Sequence, residues 1–214
     1  MSVKQGRGVT FGVMIFILEL ILLTNTSLFF PIEEVANVQR VMMIYIIMQL
    51  LAMMLLFTIK RTQSDIFSLT TYQGLFQFFL GFLITGVIVL VAIPASIAAS
   101  FEPLAVVKIS LLGTILYTFI RAFVEEFLFR DTLEEIIGRY PQAALFGAFH
   151  FAILSIGGAA FLSVLVGALF LAVLGLIWSY MKDFKIFGIT GAVGSHMAYN
   201  MSAFGIWVKL FGGG

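Results

Sequence analysis

Two adjacent carboxylates, two histidines and an arginine stand inside or at the edge of long apolar runs: Glu125-Glu126 with Arg130, His150, and His196 with Asn200. A charge near the centre of a bilayer costs on the order of 3 kcal/mol even on the gentlest scales, so groups kept there are expected to face one another rather than lipid. A carboxylate held in a partly dry site is a competent general base. Adjacent glutamates point about 100° apart on a helix, so one faces a pocket while the other makes a structural contact. His196 and Asn200, four residues apart, share a helical face and suit two groups acting on one substrate atom.

Each of these residues also has a plain structural reading. Arg121 with Glu125, and Glu126 with Arg130, are i,i+4 pairs that make a charged helix end tolerable. A lone histidine in Phe146-Gly147-Ala148-Phe149-His150-Phe151 is ordinarily a hydrogen-bonded packing residue, and a His/Asn pair ordinarily holds helices of a membrane bundle together. What favours a site is position along the elements that carry these groups.

Those elements are membrane spans. The 214-residue chain is 61% hydrophobic and 11% charged with a mean hydropathy of +1.11, against roughly half apolar and a quarter charged for a soluble domain. The formal charge is +1 and the basic residues are scattered, which excludes a nucleic-acid partner. Without cysteine there is neither a disulfide nor a thiolate site. About 20 residues of helix cross a hydrocarbon core, and the apolar runs predict seven spans: Val9–Phe30, Val41–Ile59, Gly74–Ile97, Val106–Phe129, Gln142–Gly157, Ala160–Met181 and Ile186–Phe211. The first follows Lys4 and Arg7 but is longer than the ~7–15 residues of a signal peptide's apolar region, so it reads as an uncleaved span.

The fifth run is short and bounded by Gly157-Gly158. The last is interrupted by Gly188, Gly191 and Gly194, so it is either partly re-entrant or closely packed through small residues. Asp131–Tyr140, before Pro141, reads as an interfacial half-helix. The expected fold is all-α: a polytopic transmembrane helix bundle of about seven helices, one domain over residues 1–214, with an intramembrane polar cavity.

Loop charges orient the bundle. Lys4, Arg7, Lys60, Arg61, Arg130, Arg139, Lys182 and Lys185 fall on one side and Arg40, Lys108 and Lys209 on the other, which places the N-terminus in the cytoplasm. At ~1.5 Å of rise per residue, Glu125 and Glu126 lie ~6–8 Å in from Arg130, His150 ~13 Å in from Pro141, and His196 ~15 Å in from Ile186. All three depths are measured from the cytoplasmic face, so the clusters can converge on one pocket. Glu19 is expected to bond a neighbouring helix, Glu33, Glu34 and Glu102 to be solvated ends, and Met42, Met43, Met48, Met53 and Met54 to be packing or lipid-facing residues.

Glu-Glu-x-x-x-Arg (Glu125, Glu126, Arg130), Phe-x-x-x-His (Phe146, His150) and His-x-x-x-Asn (His196, Asn200), in that order on successive apolar helices, resemble the CPBP family of intramembrane proteases. That family includes Rce1-like CAAX prenyl endopeptidases and bacterial Abi proteins. The resemblance covers about Tyr117 to Ala203, the motif-bearing core. It implies an intramembrane endopeptidase that hydrolyses a peptide bond of a membrane-associated, for instance prenylated, substrate. Glu125 would activate a water, with Glu126 and Arg130 in support. His150 would position the water or share its proton, and His196 with Asn200 would stabilise the oxyanion.

The family is often labelled metalloprotease, and His150, His196 and Glu125 are the candidate zinc ligands. There is no His-Glu-x-x-His pair, however, and a metal-free glutamate–water mechanism fits the same residues. The implied partners are membrane lipid and a lipidated or membrane-anchored peptide. The alternatives are a non-catalytic bacteriocin-immunity or scaffold member of the same family, and a proton-coupled transporter. The absence of an inverted repeat disfavours the latter.

Overall fold

The computed structural model describes residues 69–92, 111–156 and 160–203, together with Ile47 and Leu51. Among these residues the chain is helical throughout: α1 (Tyr72–Ala92), α2 (Leu111–Glu126), a π-helical segment (Phe127–Leu133), the single turn α3 (Glu134–Ile137), α4 (Arg139–Ile156), α5 (Phe161–Asp183) and α6 (Gly188–Ala203). The predicted spans Val9–Phe30 and Val41–Ile59 fall outside the described residues apart from Ile47 and Leu51, as do Glu19, Glu33, Glu34, Glu102 and Met42, Met43, Met48, Met53 and Met54.

Helix α5 matches its predicted run within two residues at each end, and α4 begins three residues before the expected Gln142. The reason is Gly138, whose φ of 93° ends α3. That conformation is open to glycine without strain, so a new helix starts at once. Pro141 falls in its first turn, where no backbone donor is required. The expected half-helix over 131–140 is instead a π-helical continuation of α2 followed by α3 and this break. Within the wide turn, the Thr132 hydroxyl donates to the Phe127 carbonyl at 3.0 Å and Lys182 Nζ to the Arg130 carbonyl at 2.9 Å.

Two of the described helices are long and apolar enough to cross a membrane, Tyr72–Val89 and Phe161–Asp183. The burial pattern has the polarity of a membrane protein. Leu162, Val166, Leu169, Val173 and Ile177 form an exposed apolar stripe on α5, while Arg121, Glu125, Glu126, Arg130, His150 and His196 are buried. In water such a partition exposes apolar surface and desolvates charge; in lipid it satisfies both groups.

Helix α6 is continuous from Gly188 to Ala203 despite its glycines. It packs most extensively on α1, with α2 and α5 as its other principal neighbours. A Cβ added at Gly194 would collide with the Phe78 carbonyl oxygen, and one at Gly81 with that of Gly191. The glycines therefore permit backbone-to-backbone approach, the small-residue packing expected where lipid removes the hydrophobic driving force between helices.

Candidate active site

Helices α2, α4 and α6 deliver one buried cluster. On α2, Arg121 Nε donates to Glu125 Oε1 at 2.8 Å, and Arg130 Nη1 lies 3.3 Å from Glu126 Oε1 across the first turn of the π segment. Both pairs are those the i,i+4 spacing anticipates. The two carboxylates diverge, as adjacent helical positions must. Glu126 Oε1 lies 2.7 Å from His196 Nδ1, while Glu125 Oε2 lies 3.4 Å from His196 Nε2 and 3.8 Å from His150 Nε2. One imidazole thus bridges the two glutamates, and the other approaches the same Glu125 oxygen from α4.

The hydrogen bonds of His150 decide its protonation. Nδ1 is 2.8 Å from the Phe146 carbonyl, which only accepts, and Nε2 is 3.0 Å from Arg121 Nη2, which only donates. The ring is therefore neutral, with its proton on Nδ1. His150, expected to position the water or share its proton, has its one lone pair engaged by Arg121.

Aromatic rings hold the cluster. Trp178 of α5 stacks on His196 with centroids 4.0 Å apart and planes at 17°, and its indole Nε1 donates to Ser195 at 2.8 Å. Ser195 in turn shares a 2.6 Å hydrogen bond with Thr85 of α1, tying α1, α5 and α6 together behind the histidine. Phe146 presents its ring to both histidines, and the Arg130 guanidinium lies 4.0 Å from the Phe146 centroid and 5.3 Å from that of Trp178. A guanidinium over aromatic faces retains favourable electrostatics where water is excluded. Gly175 makes room for it: a Cβ there would sit 2.8 Å from Arg130 Nη2.

Asn200, one turn beyond His196 on α6, is buried, and among the described residues its Nδ2 meets no hydrogen-bond partner. Sequence reasoning did not single out Trp178, Ser195 or Gln142, the last being buried on α4 with neither amide atom hydrogen bonded. Arg121 was legible only as the partner of Glu125; its contact with His150 comes from another helix and leaves no signal in spacing.

Glu125, Glu126 and Arg130 have no exposed surface, and His150 and His196 have almost none. Toward the end of α5, a second polar group closes the bundle. Glu134 accepts from Arg139 at 3.2 Å, from Lys182 at 3.3 Å and from the Ser179 hydroxyl, while Arg139 also pairs with Asp183.

Among the described residues no three His, Cys, Asp or Glu side chains are placed to hold an ion. Arg121 also already supplies a cation to both Glu125 and His150. The arrangement does not fit a zinc site built on His150, His196 and Glu125.

No curated protein and no solved structure matches the chain. Residues 107–202, which contain every member of the cluster, match the family model of type II CAAX prenyl endopeptidase Rce1-like proteins.

Proposed function

We propose that this protein is an intramembrane endopeptidase that uses Glu125 to activate a water against a peptide bond of a membrane-associated substrate, prenylated C-terminal peptides being the class the family description names. The observation that carries the reading is the approach of Glu125 Oε2 to His196 Nε2 at 3.4 Å, with His196 Nδ1 bound to Glu126. A water oxygen about 2.8 Å from each of two atoms at that separation makes two ordinary hydrogen bonds.

In this mechanism Glu125 removes a proton from the water as hydroxide adds to the carbonyl carbon. Asn200 Nδ2 then faces the oxyanion, with the His196 ring held beside it by Glu126. The proton held by Glu125 passes to the departing amine as the C–N bond breaks, and the carboxylate is restored. Glu126 and Arg130 orient His196. Residues 1–214 form one multi-pass domain with an N-terminus in the cytoplasm, 117–203 its catalytic core, and a polar cavity opens to admit water and substrate.

The non-catalytic reading also draws on an observation, the sealed burial of the cluster. The two readings separate when a farnesylated CAAX peptide and candidate membrane peptides are incubated with the purified protein and with its Glu125→Ala form and the products are weighed by mass spectrometry. Cleavage by the parent alone supports the protease; intact peptides with both leave a binding protein.

A further inference from the structure

Arg121 belongs to none of the three motifs, yet it is buried at the centre of the cluster and donates to two of its members on different helices. Nε takes Glu125 Oε1 at 2.8 Å and Nη2 takes the His150 Nε2 lone pair at 3.0 Å. A planar guanidinium can serve two acceptors in a fixed relative geometry; an ammonium has no such fork. Two consequences follow. Oε1 of Glu125 is committed to Arg121, so Oε2 is the oxygen directed at His196 Nε2. With Nδ1 held by the Phe146 carbonyl, His150 is also fixed in one neutral tautomer, its proton on Nδ1 and its lone pair on Nε2 toward Arg121.

We propose that Arg121 is a positioning residue that selects Oε2 of Glu125 as the reacting oxygen and fixes His150 in its Nδ1–H tautomer. This rests on the protease reading for its catalytic meaning, but the tautomer it predicts is a property of the protein without substrate.

The chain has only two histidines, so ¹⁵N-histidine NMR of the whole protein in lipid nanodiscs resolves them, with His196→Gln giving the assignment. The parent is expected to show His150 as a single neutral Nδ1–H tautomer. Arg121→Lys keeps the charge but not the fork. It is expected to melt near the parent, to show His150 in mixed tautomers, and to lose tenfold or more in kcat on a farnesylated peptide with KM within about threefold. Should that variant not fold, the charge-neutral pair Arg121→Met with Glu125→Gln carries the spectral arm, with the same loss of the single tautomer expected.

An unchanged His150 spectrum in these variants, or parental kcat in Arg121→Lys, would overturn the positioning role and leave the protease reading standing. A parent that cuts no peptide, beside a His150 that responds to Arg121 as expected, would remove the protease reading and uphold the tautomer lock.

Discussion

At the scale of single residues, the two glutamates differ in what surrounds them, and their variants are expected to differ accordingly. Glu125→Gln keeps the shape and an acceptor for Arg121 but loses the base and the charge paired with that buried guanidinium, so cleavage should fall to background and detergent melting should drop. Full activity in that variant would end the assignment. Glu126→Gln removes the carboxylate that pairs with buried Arg130 and binds His196. Removing one partner of a buried pair costs about 3–5 kcal/mol, so this variant should also melt below the parent but retain partial turnover in what remains folded. A stable, wholly inactive Glu126→Gln beside an active Glu125→Gln would exchange the two roles.

At the scale of elements, the position of His196 depends on how closely α6 approaches α1. Gly194 lies two residues before it, with the Phe78 carbonyl where a Cβ would go. Gly194→Ala must push the helices apart, an overpacking cost of about 1–3 kcal/mol or more. Helical CD should persist while the melting temperature and kcat both fall. A Gly194→Ala protein with parental melting and turnover would mean that the two helices do not meet as closely as described here. The π-helical segment is the other element that matters. π-turns interrupt α-helices frequently at functional sites, and this one begins immediately after Glu126, carries Arg130, and is clamped to α5 by Lys182.

At the scale of the molecule, topology and metal dependence are the open properties that experiments reach directly. The chain has no native cysteine, so a single Glu135→Cys, exposed at the end predicted to face the cytoplasm, gives a clean label. It should resist an impermeant maleimide in intact cells and react after permeabilisation; labelling in intact cells would invert the orientation. Because Arg121 donates to both Glu125 and His150, cleavage should survive chelation and exhaustive metal removal. Near-stoichiometric zinc whose loss abolishes turnover and whose return restores it would refute the metal-free mechanism.

Apolar run length and charge placement were enough to mark α5, α4 and the candidate residues, because span length and the cost of intramembrane charge act locally along the chain. The pairs Arg121–Glu125 and Glu126–Arg130 were likewise legible, since i,i+4 spacing on one helix needs no tertiary information. The break at Gly138 was missed although it rests on that residue's own φ of 93°; the π-helical turn and the continuity of α6 were not legible, because each depends on what packs against the backbone there. Nor did spacing reveal that His196 bridges both glutamates, that Trp178 stacks on it, or that Arg121 takes the His150 lone pair. Those contacts join residues dozens of positions apart on different helices, and only the packing of α2, α4, α5 and α6 brings them within hydrogen-bonding reach.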